Sequence, residues 1–321
     1  MGAGMVGTKQ PALTYSPSLS LWYKDKRCGG NPQYYGYHMS LEDEFCDIIK
    51  KARYGQGLGI ETLVELTKVE QADVEHLEKG RRLPTKEEIQ GIGQALHLRV
   101  GPLVNLTLDG WLPRPQPEWT TEHALVQTIK GDIGGYEVKG YLLTDPATKQ
   151  VLMIDTGFNA KQMLANIAQR ELTLIGVCLT HGHTDHAGGL EKILAQWPVP
   201  VYLGNGDFEL LPWKPPTDSV KVPANHHQIA LGELTIECLV TPGHTPGGLC
   251  FLLSRKGQAL CFVGDTLFAG SVGRSNPFSL YPQHLQSVRQ TLLPLPKETV
   301  LFPGHGPSTT VEEEQAHNPF G

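Results

Sequence analysis

The sequence predicts an α/β protein with a small all-α domain on its N-terminal side. Short apolar runs, too short for helices, alternate with helical patterns from about residue 118 onward. From about Met39 to Val100 the pattern is instead one of short amphipathic helices with little strand signal. Between the two lies Leu112-Pro113-Arg114-Pro115-Gln116-Pro117, whose alternating prolines remove backbone donors and favour extended chain, as in a semi-rigid linker. With 321 residues and 40% hydrophobic content, two folded units are expected. The boundaries are an extension over 1–39, a helical domain over 40–101, a proline-rich linker over 102–117 and the main domain over 118–321.

The extension mixes Gly, Pro and Ser with Trp22, Tyr23, Tyr34, Tyr35 and Tyr37, too many aromatics for a plain solvated tail. Four or five helices are expected after it, including Leu41 to Ala52, Ile60 to Thr67, Gln71 to Glu78 and Thr85 to Leu96. Ser40 and Thr85 are the expected N-caps, Thr85 forming a capping box with Glu88, and Gly80 is a helix stop. In the main domain, strands are expected at Leu125 to Ile129, Val138 to Thr144, Val151 to Ile154, Leu174 to Thr180, Val199 to Leu203, Leu234 to Thr241, Gly248 to Leu253, Ala259 to Val263 and Val300 to Phe302. Helices are expected at Ala160 to Arg170, Gly189 to Gln196 and Gln283 to Leu293.

A formal net charge of −6 argues against a surface built to hold phosphate backbones. No apolar run reaches the ~18 to 20 residues of a membrane-spanning helix, and the N-terminus lacks a signal-peptide layout. A cytoplasmic protein without a membrane partner is expected. Cys178, Cys238, Cys250 and Cys261 sit singly in apolar runs, without CxxC spacing, and read as core residues; Cys28 and Cys46 stay unassigned.

The chemistry is concentrated in Thr180-His181-Gly182-His183-Thr184-Asp185-His186-Ala187-Gly188-Gly189, which places three imidazoles and a carboxylate directly after an apolar strand. The spacing of His181 and His183 does not put them on one helix face, so an extended loop is expected, turning at the glycine pair. One short loop rarely closes a metal shell, so partners should appear downstream. Three candidates do: His244 in Thr241-Pro242-Gly243-His244-Thr245-Pro246-Gly247, Asp265 in Phe262-Val263-Gly264-Asp265-Thr266, and His305 in Phe302-Pro303-Gly304-His305-Gly306. Each follows an apolar strand and has a glycine beside it, which permits close packing around a crowded site. His38, His76, His97, His123, His284, His317 and the pair His226-His227 lack this context and read as surface or hydrogen-bonding residues.

In this order the motifs resemble the metallo-β-lactamase superfamily over residues 118 to 319. The resemblance implies an αββα sandwich with two metals at one edge. His181, His183 and His244 resemble the ligands of one metal, Asp185, His186 and His305 those of the other, and Asp265 would bridge them. Two divalent ions are implied, zinc first, with iron or manganese as alternatives. Two metals sharing a water bring its pKa from ~16 toward ~7, so hydrolysis is expected, with Asp185 and Asp265 as catalytic residues beside metal-bound hydroxide. The run from Gly264 to Ser275 and the ending from Pro303 to Thr310 are similar to glyoxalase II-like thioester hydrolases, implying a small thioester substrate such as S-lactoylglutathione or another acyl-thiol. True β-lactamases of the superfamily carry a cysteine where Asp265 stands, and nuclease branches need a basic surface.

Persulfide dioxygenases resemble the same pattern with one iron on residues equivalent to His181, His244 and Asp265, and form the oxidoreductase alternative. Glyoxalase II also carries a helical C-terminal extension with basic residues for glutathione, whereas this sequence ends 16 residues after His305. Arg274 is the expected cationic substrate contact, its other reading being a structural hydrogen-bonding arginine.

The segment Gly59 to Thr85 resembles the lambda-repressor-like helix-turn-helix module, implying DNA contact through the helix that begins near Glu70. There Glu70, Asp73, Glu75 and Glu78 would face a polyanion, leaving Arg81, Arg82 and Lys86 for phosphate. DNA is therefore not an expected partner, and a packing or homodimerisation role for the domain is. A DNA-binding regulator whose metal domain senses a metabolite is the remaining alternative function.

Overall fold

The computed structural model describes residues 40–116, 125–255 and 258–321. The aromatic extension, with Cys28 and His38, lies outside the described residues, as does His123. Five helices come first: α1 (Phe45–Gly55), α2 (Ile60–Thr67), α3 (Gln71–Glu78), α4 (Lys86–Ala95) and α5 (Val100–Thr107). Helices α2 and α3 have the bounds their apolar spacing predicts. Helix α4 starts on the expected capping box, Glu88 N donating to Thr85 Oγ1 (3.2 Å) and Thr85 N to Glu88 Oε2 (2.8 Å). Helix α1 does not start at Ser40: Glu44 is its N-cap, and its N–H donates to Asp47 (3.2 Å). The residues before it are occupied elsewhere, Glu42 lying against Gly306 and Asp43 bonding Ser271. Helix α5 spans the boundary expected at 101, because Pro102 falls in its first turn, where no intrahelical N–H is required.

The main region builds β1 (Val126–Ile133), β2 (Tyr136–Asp145), β3 (Gln150–Ile154), α6 (Ala160–Gln169), β4 (Thr173–Cys178), α7 (Thr184–Ala187), α8 (Leu190–Gln196), β5 (Val201–Tyr202) and β6 (Val220–Lys221). A second series follows: β7 (Gln228–Leu231), β8 (Leu234–Val240), β9 (Leu249–Arg255), β10 (Gln258–Gly264), α9 (Tyr281–Gln286) running into a π-helical turn, β11 (Val300–Pro303), β12 (Thr309–Thr310) and α10 (Val311–His317). The strands form two six-stranded sheets, ordered β1-β2-β3-β4-β5-β6 and β12-β11-β10-β9-β8-β7.

Period-two alternation assigns each sheet two apolar faces. On β9, Leu249, Phe251 and Leu253 point between the sheets while Cys250 and Leu252 point outward; on β3, Leu152 and Ile154 point inward while Val151 and Met153 face α6 and α8. The result is four layers, αββα. The outward face of the second sheet, Leu239, Cys250, Leu252, Cys261, Val263 and Leu301, shares one apolar cluster with Ile48, Ile49, Leu63, Leu77, Ile89 and Leu103 of the helical region. That region is thus part of the outer layer rather than a separate core. Arg99 Nη1 donates to Gln315 O (2.8 Å) and the Trp111 ring stacks on His317, so α5 and the chain after it are tied to α10. The cysteines expected in the core are buried there, as is Cys46. No described helix is long and apolar enough to cross a membrane.

Candidate metal centre

The ligand-bearing loops all leave the same edge of the sandwich. His181 and His183 follow β4 in extended chain, whereas Asp185 and His186 sit in the single turn of α7, not in an extended loop. Gly189, at φ 84°, makes the expected tight turn into α8. His244 lies between β8 and β9, Asp265 directly after β10 and His305 after β11.

These loops bring all seven predicted residues together. His181, His183 and His244 form one cluster, and Asp185, His186, Asp265 and His305 complete two overlapping clusters beside it, with donor atoms within 4.8 Å of one another in each. His183 Nδ1 and His244 Nε2 are 3.0 Å apart, and His305 Nε2 is 3.2 Å from Asp185 Oδ2. Asp265 stands between the groups, Oδ1 lying 3.3 Å from His186 Nε2 and Oδ2 3.6 Å from His244 Nε2 and 3.7 Å from His305 Nε2. At Gly304, a Cβ would lie 2.4 Å from Asp265 Oδ1 and from His186 Cε1, so only glycine lets the strand end approach the centre.

The second nitrogen of four imidazoles is held from behind, fixing which nitrogen faces inward. His181 Nδ1 meets Thr180 Oγ1 (3.1 Å), His186 Nδ1 meets Asp155 Oδ2 (2.8 Å), His244 Nδ1 donates to Arg274 O (2.7 Å) and His305 Nδ1 to Glu137 O (2.7 Å). Asp155 also accepts from Thr180 N and Thr180 Oγ1, both at 2.7 Å. Asp207 accepts from Gly182 N (3.0 Å), Thr245 Oγ1 (2.7 Å) and Gly247 N (2.7 Å), joining the first ligand loop to that of His244. Sequence reasoning missed both carboxylates. Their signal was present: Ile154-Asp155-Thr156-Gly157 and Gly204-Asn205-Gly206-Asp207 are strand ends with glycine, the context that singled out Asp265. Lys139 supports the His305 turn through Gly306 O, and burial pulls its ammonium down to about 8.

The titration behaviour divides the site. Burial pushes His181, His183 and His244 below the ordinary imidazole range, leaving them in the neutral form that coordinates cations. Burial acts upward on Asp185 and Asp265, but the facing imidazoles outweigh it and hold Asp185 at about 2 and Asp265 well below the carboxylate range. The same carboxylates overcome burial at His186 and His305 and raise them. Protons there stand where a second cation would, and coordination displaces such protons.

The residues fit a metal pair. His181 Nε2, His186 Nε2 and Asp265 Oδ1 are buried without a hydrogen-bond partner, although such atoms are normally satisfied. Imidazole nitrogen with carboxylate oxygen suits zinc, iron or manganese. Arg274 gives its backbone carbonyl to His244, while its exposed guanidinium lies 6.0 Å from the Phe278 ring and has no ion pair among the described residues. His284, read as a surface or hydrogen-bonding residue, is not at the surface: it is buried, with Nε2 2.8 Å from Thr266 O, and burial lowers it to about 4.

A sequence model of the metallo-beta-lactamase superfamily matches residues 134–305, and the chain belongs to that superfamily of metallo-hydrolases. It is 32% identical over 202 residues to the probable metallo-hydrolase YqgX of Bacillus subtilis, an alignment covering 59% of this chain and 94% of that one. It is 33% identical over 187 residues to the hydroxyacylglutathione hydrolase GloC of Haemophilus influenzae, covering 54% and 87%. Among solved structures, BLEG-1 B3 metallo-beta-lactamase superposes with a TM-score of 0.54 at 27% identity, covering 60% of this chain and 99% of that one. TTHA1623 in a di-iron-bound form does so at 0.52 and 31%, covering 60% and 100%.

Proposed function

We propose that the chain is a dinuclear metal-dependent hydrolase of thioesters, acting on S-lactoylglutathione or another acyl-thiol. The supporting observation is the position of Asp265 between the two ligand groups, its Oδ1 facing His186 and its Oδ2 lying against both His244 and His305. His181, His183 and His244 would hold one ion and Asp185, His186 and His305 the other. When bound, such a pair would bring the pKa of a shared water toward ~7 and polarise a carbonyl. Asp265 then keeps the two ligand groups in register, and Asp185 holds a negative charge against His305. Thr180, Asp155, Arg274 O and Glu137 O fix the imidazole orientations, so the site needs little reorganisation on binding. The exposed guanidinium of Arg274, whose backbone carbonyl holds His244, suits a carboxylate on the thiol half of the substrate.

Metal analysis of the purified protein, with S-lactoylglutathione hydrolysis and persulfide-dependent oxygen uptake assayed in parallel, tests this reading. Two metals per chain and thioester cleavage are expected, with zinc proposed and iron as the other metal to test. One iron with oxygen uptake would replace it by the dioxygenase reading. A β-lactam belongs in the same assay, given the likeness to BLEG-1; preferential lactam cleavage would overturn the thioester assignment.

A further inference from the structure

Lys51 of helix α1 and Asp43 of the segment before it reach toward the metal centre, and we propose that they are positioning residues that set its metal affinity by holding the loop 268–274. The inference rests on the metallohydrolase reading. Lys51 Nζ pairs with the Asp43 carboxylate, donates to Val272 O (2.8 Å) and lies 5.0 Å from the centre of the Phe268 ring. Asp43 accepts from Ser271 Oγ (2.6 Å). The Lys51 and Asp43 side chains are 14% and 5% exposed, so their charges answer mainly to each other and to the loop.

The other side of the loop is the metal centre. At Gly273 a Cβ would lie 1.9 Å from Asp265 O and 2.9 Å from His244 Nδ1, so the backbone is packed directly on two predicted ligands. The next carbonyl, Arg274 O, accepts the His244 Nδ1–H at 2.7 Å. Phe268, under the Lys51 ammonium, meets the His305 ring edge-on at 5.9 Å. A displacement of Val272 therefore passes within two residues to His244 and Asp265. The loop has other anchors: the paired backbone bonds of Phe268 and Ser271, Gly270 N to Glu314 (3.0 Å) and Asn318 Nδ2 to Ser271 O (2.9 Å). These secure residues 268–271. Among the described residues, Lys51 is the side chain that hydrogen-bonds the backbone of Val272, the residue leading into the ligand-bearing part.

The test uses the full chain with Lys51→Met, Lys51→Arg and, as a control away from the loop, Arg82→Met, which removes ion pairs to Asp73 and Glu88. Zinc affinity is measured by competition with a chromophoric chelator, and coordination by the visible spectrum of the cobalt-substituted protein. Lys51→Met is expected to weaken binding of at least one ion by ~10- to 100-fold and to alter the cobalt spectrum. Lys51→Arg should restore most of the affinity, and Arg82→Met should leave it within about twofold, its partners lying outside the ligand supports. Wild-type affinity and spectrum in Lys51→Met overturn the proposal, as does an equal loss in Arg82→Met. If Lys51→Met does not accumulate as folded protein, Ser271→Ala decides: a smaller shift in the same direction supports the proposal and none overturns it. A wild-type protein that binds no metal overturns the metallohydrolase reading itself, a different result from a metal-binding protein whose variants bind alike.

Discussion

The metal centre and the helical region in front of it solve opposite problems. At the centre, seven ionisable side chains are drawn together with several buried donor atoms unpaired, an arrangement costly to the fold unless cations complete it. The helical region has an apolar interior of Ile49, Leu63, Leu77, Ile89 and Leu103, into which the ion pair of Arg53 with Glu78 is buried, closed in a two-pronged contact at 2.5 and 2.8 Å. Stability comes from the second kind of region and chemistry from the first, yet the two share an outer layer of helices and one loop.

The largest effect expected from breaking this contrast is at the centre. Asp265→Ala removes the carboxylate between the ligand groups and should lower turnover by at least ~100-fold, with loss of bound metal. Metal content and hydrolysis measured on the same sample check this, and full turnover would remove Asp265 from the site.

In the helical region the expected effect is on stability. Arg53→Met strands the Glu78 carboxylate in a buried position and should cost ~3 to 5 kcal/mol, seen in urea or thermal unfolding. Replacing both residues by apolar side chains should recover much of the loss. The same pair bears on the helix-turn-helix likeness. Glu78 faces Arg53 inside the region and Asp73 pairs with Arg82, so these acids serve packing and internal pairing.

A pH profile probes the seam between the regions. Glu314 on α10 is buried among Gly270 N, Thr309 Oγ1 and Asn318 Nδ2, and burial raises its carboxyl from an ordinary 4.5 to about 7. A folded-state value above the unfolded one means the folded form binds the proton more tightly. Its stabilising contribution is complete below about 4.5 and is lost as pH rises through about 7. The loss is at most ~3 kcal/mol. Denaturant titrations from pH 5 to 8 should show this decline, and Glu314→Gln should flatten it; an unchanged slope would show that the carboxylate is ionised in the fold throughout.

Legibility in the sequence follows the same division. The clustering of the seven candidate ligands was readable because coordination admits few residue types, four of them being packed into one loop and His244, Asp265 and His305 each following an apolar strand beside a glycine. Helices α2, α3 and α4 were readable from apolar spacing and a capping box. Strand β5 was readable within the apolar run Val199 to Leu203, but β6, β7 and β12 were not, since two to four residues carry little periodicity, and the start of α1 was obscured because residues 42 and 43 are held by partners about 230 to 260 positions away. The placement of the helical region on the second sheet was equally hidden: an amphipathic pattern says that a face is buried, not against what.

Asp155 offers the smallest expected effect and the finest comparison. Like Lys51 it acts through the candidate ligands, but it belongs to the sheet edge rather than to the helices, and it holds His186 whereas Lys51 acts toward His244. It occupies the left-handed region at φ 52°, which an aspartate tolerates better than most residues, and its carboxylate meets Thr180 and His186 at once. Asp155→Asn keeps the volume and one acceptor while removing the charge that makes His186 a stronger donor. Metal affinity should fall by ~10- to 100-fold, with the loss confined to the ion held by His186. Cobalt titration separates the outcomes: in Asp155→Asn the site of His181, His183 and His244 should fill normally and the other weakly, whereas Lys51→Met should disturb the His244 side. If both variants weaken the same ion equally, the two supports act through the shared Asp265 carboxylate, and the centre responds as one unit rather than as two separately braced halves.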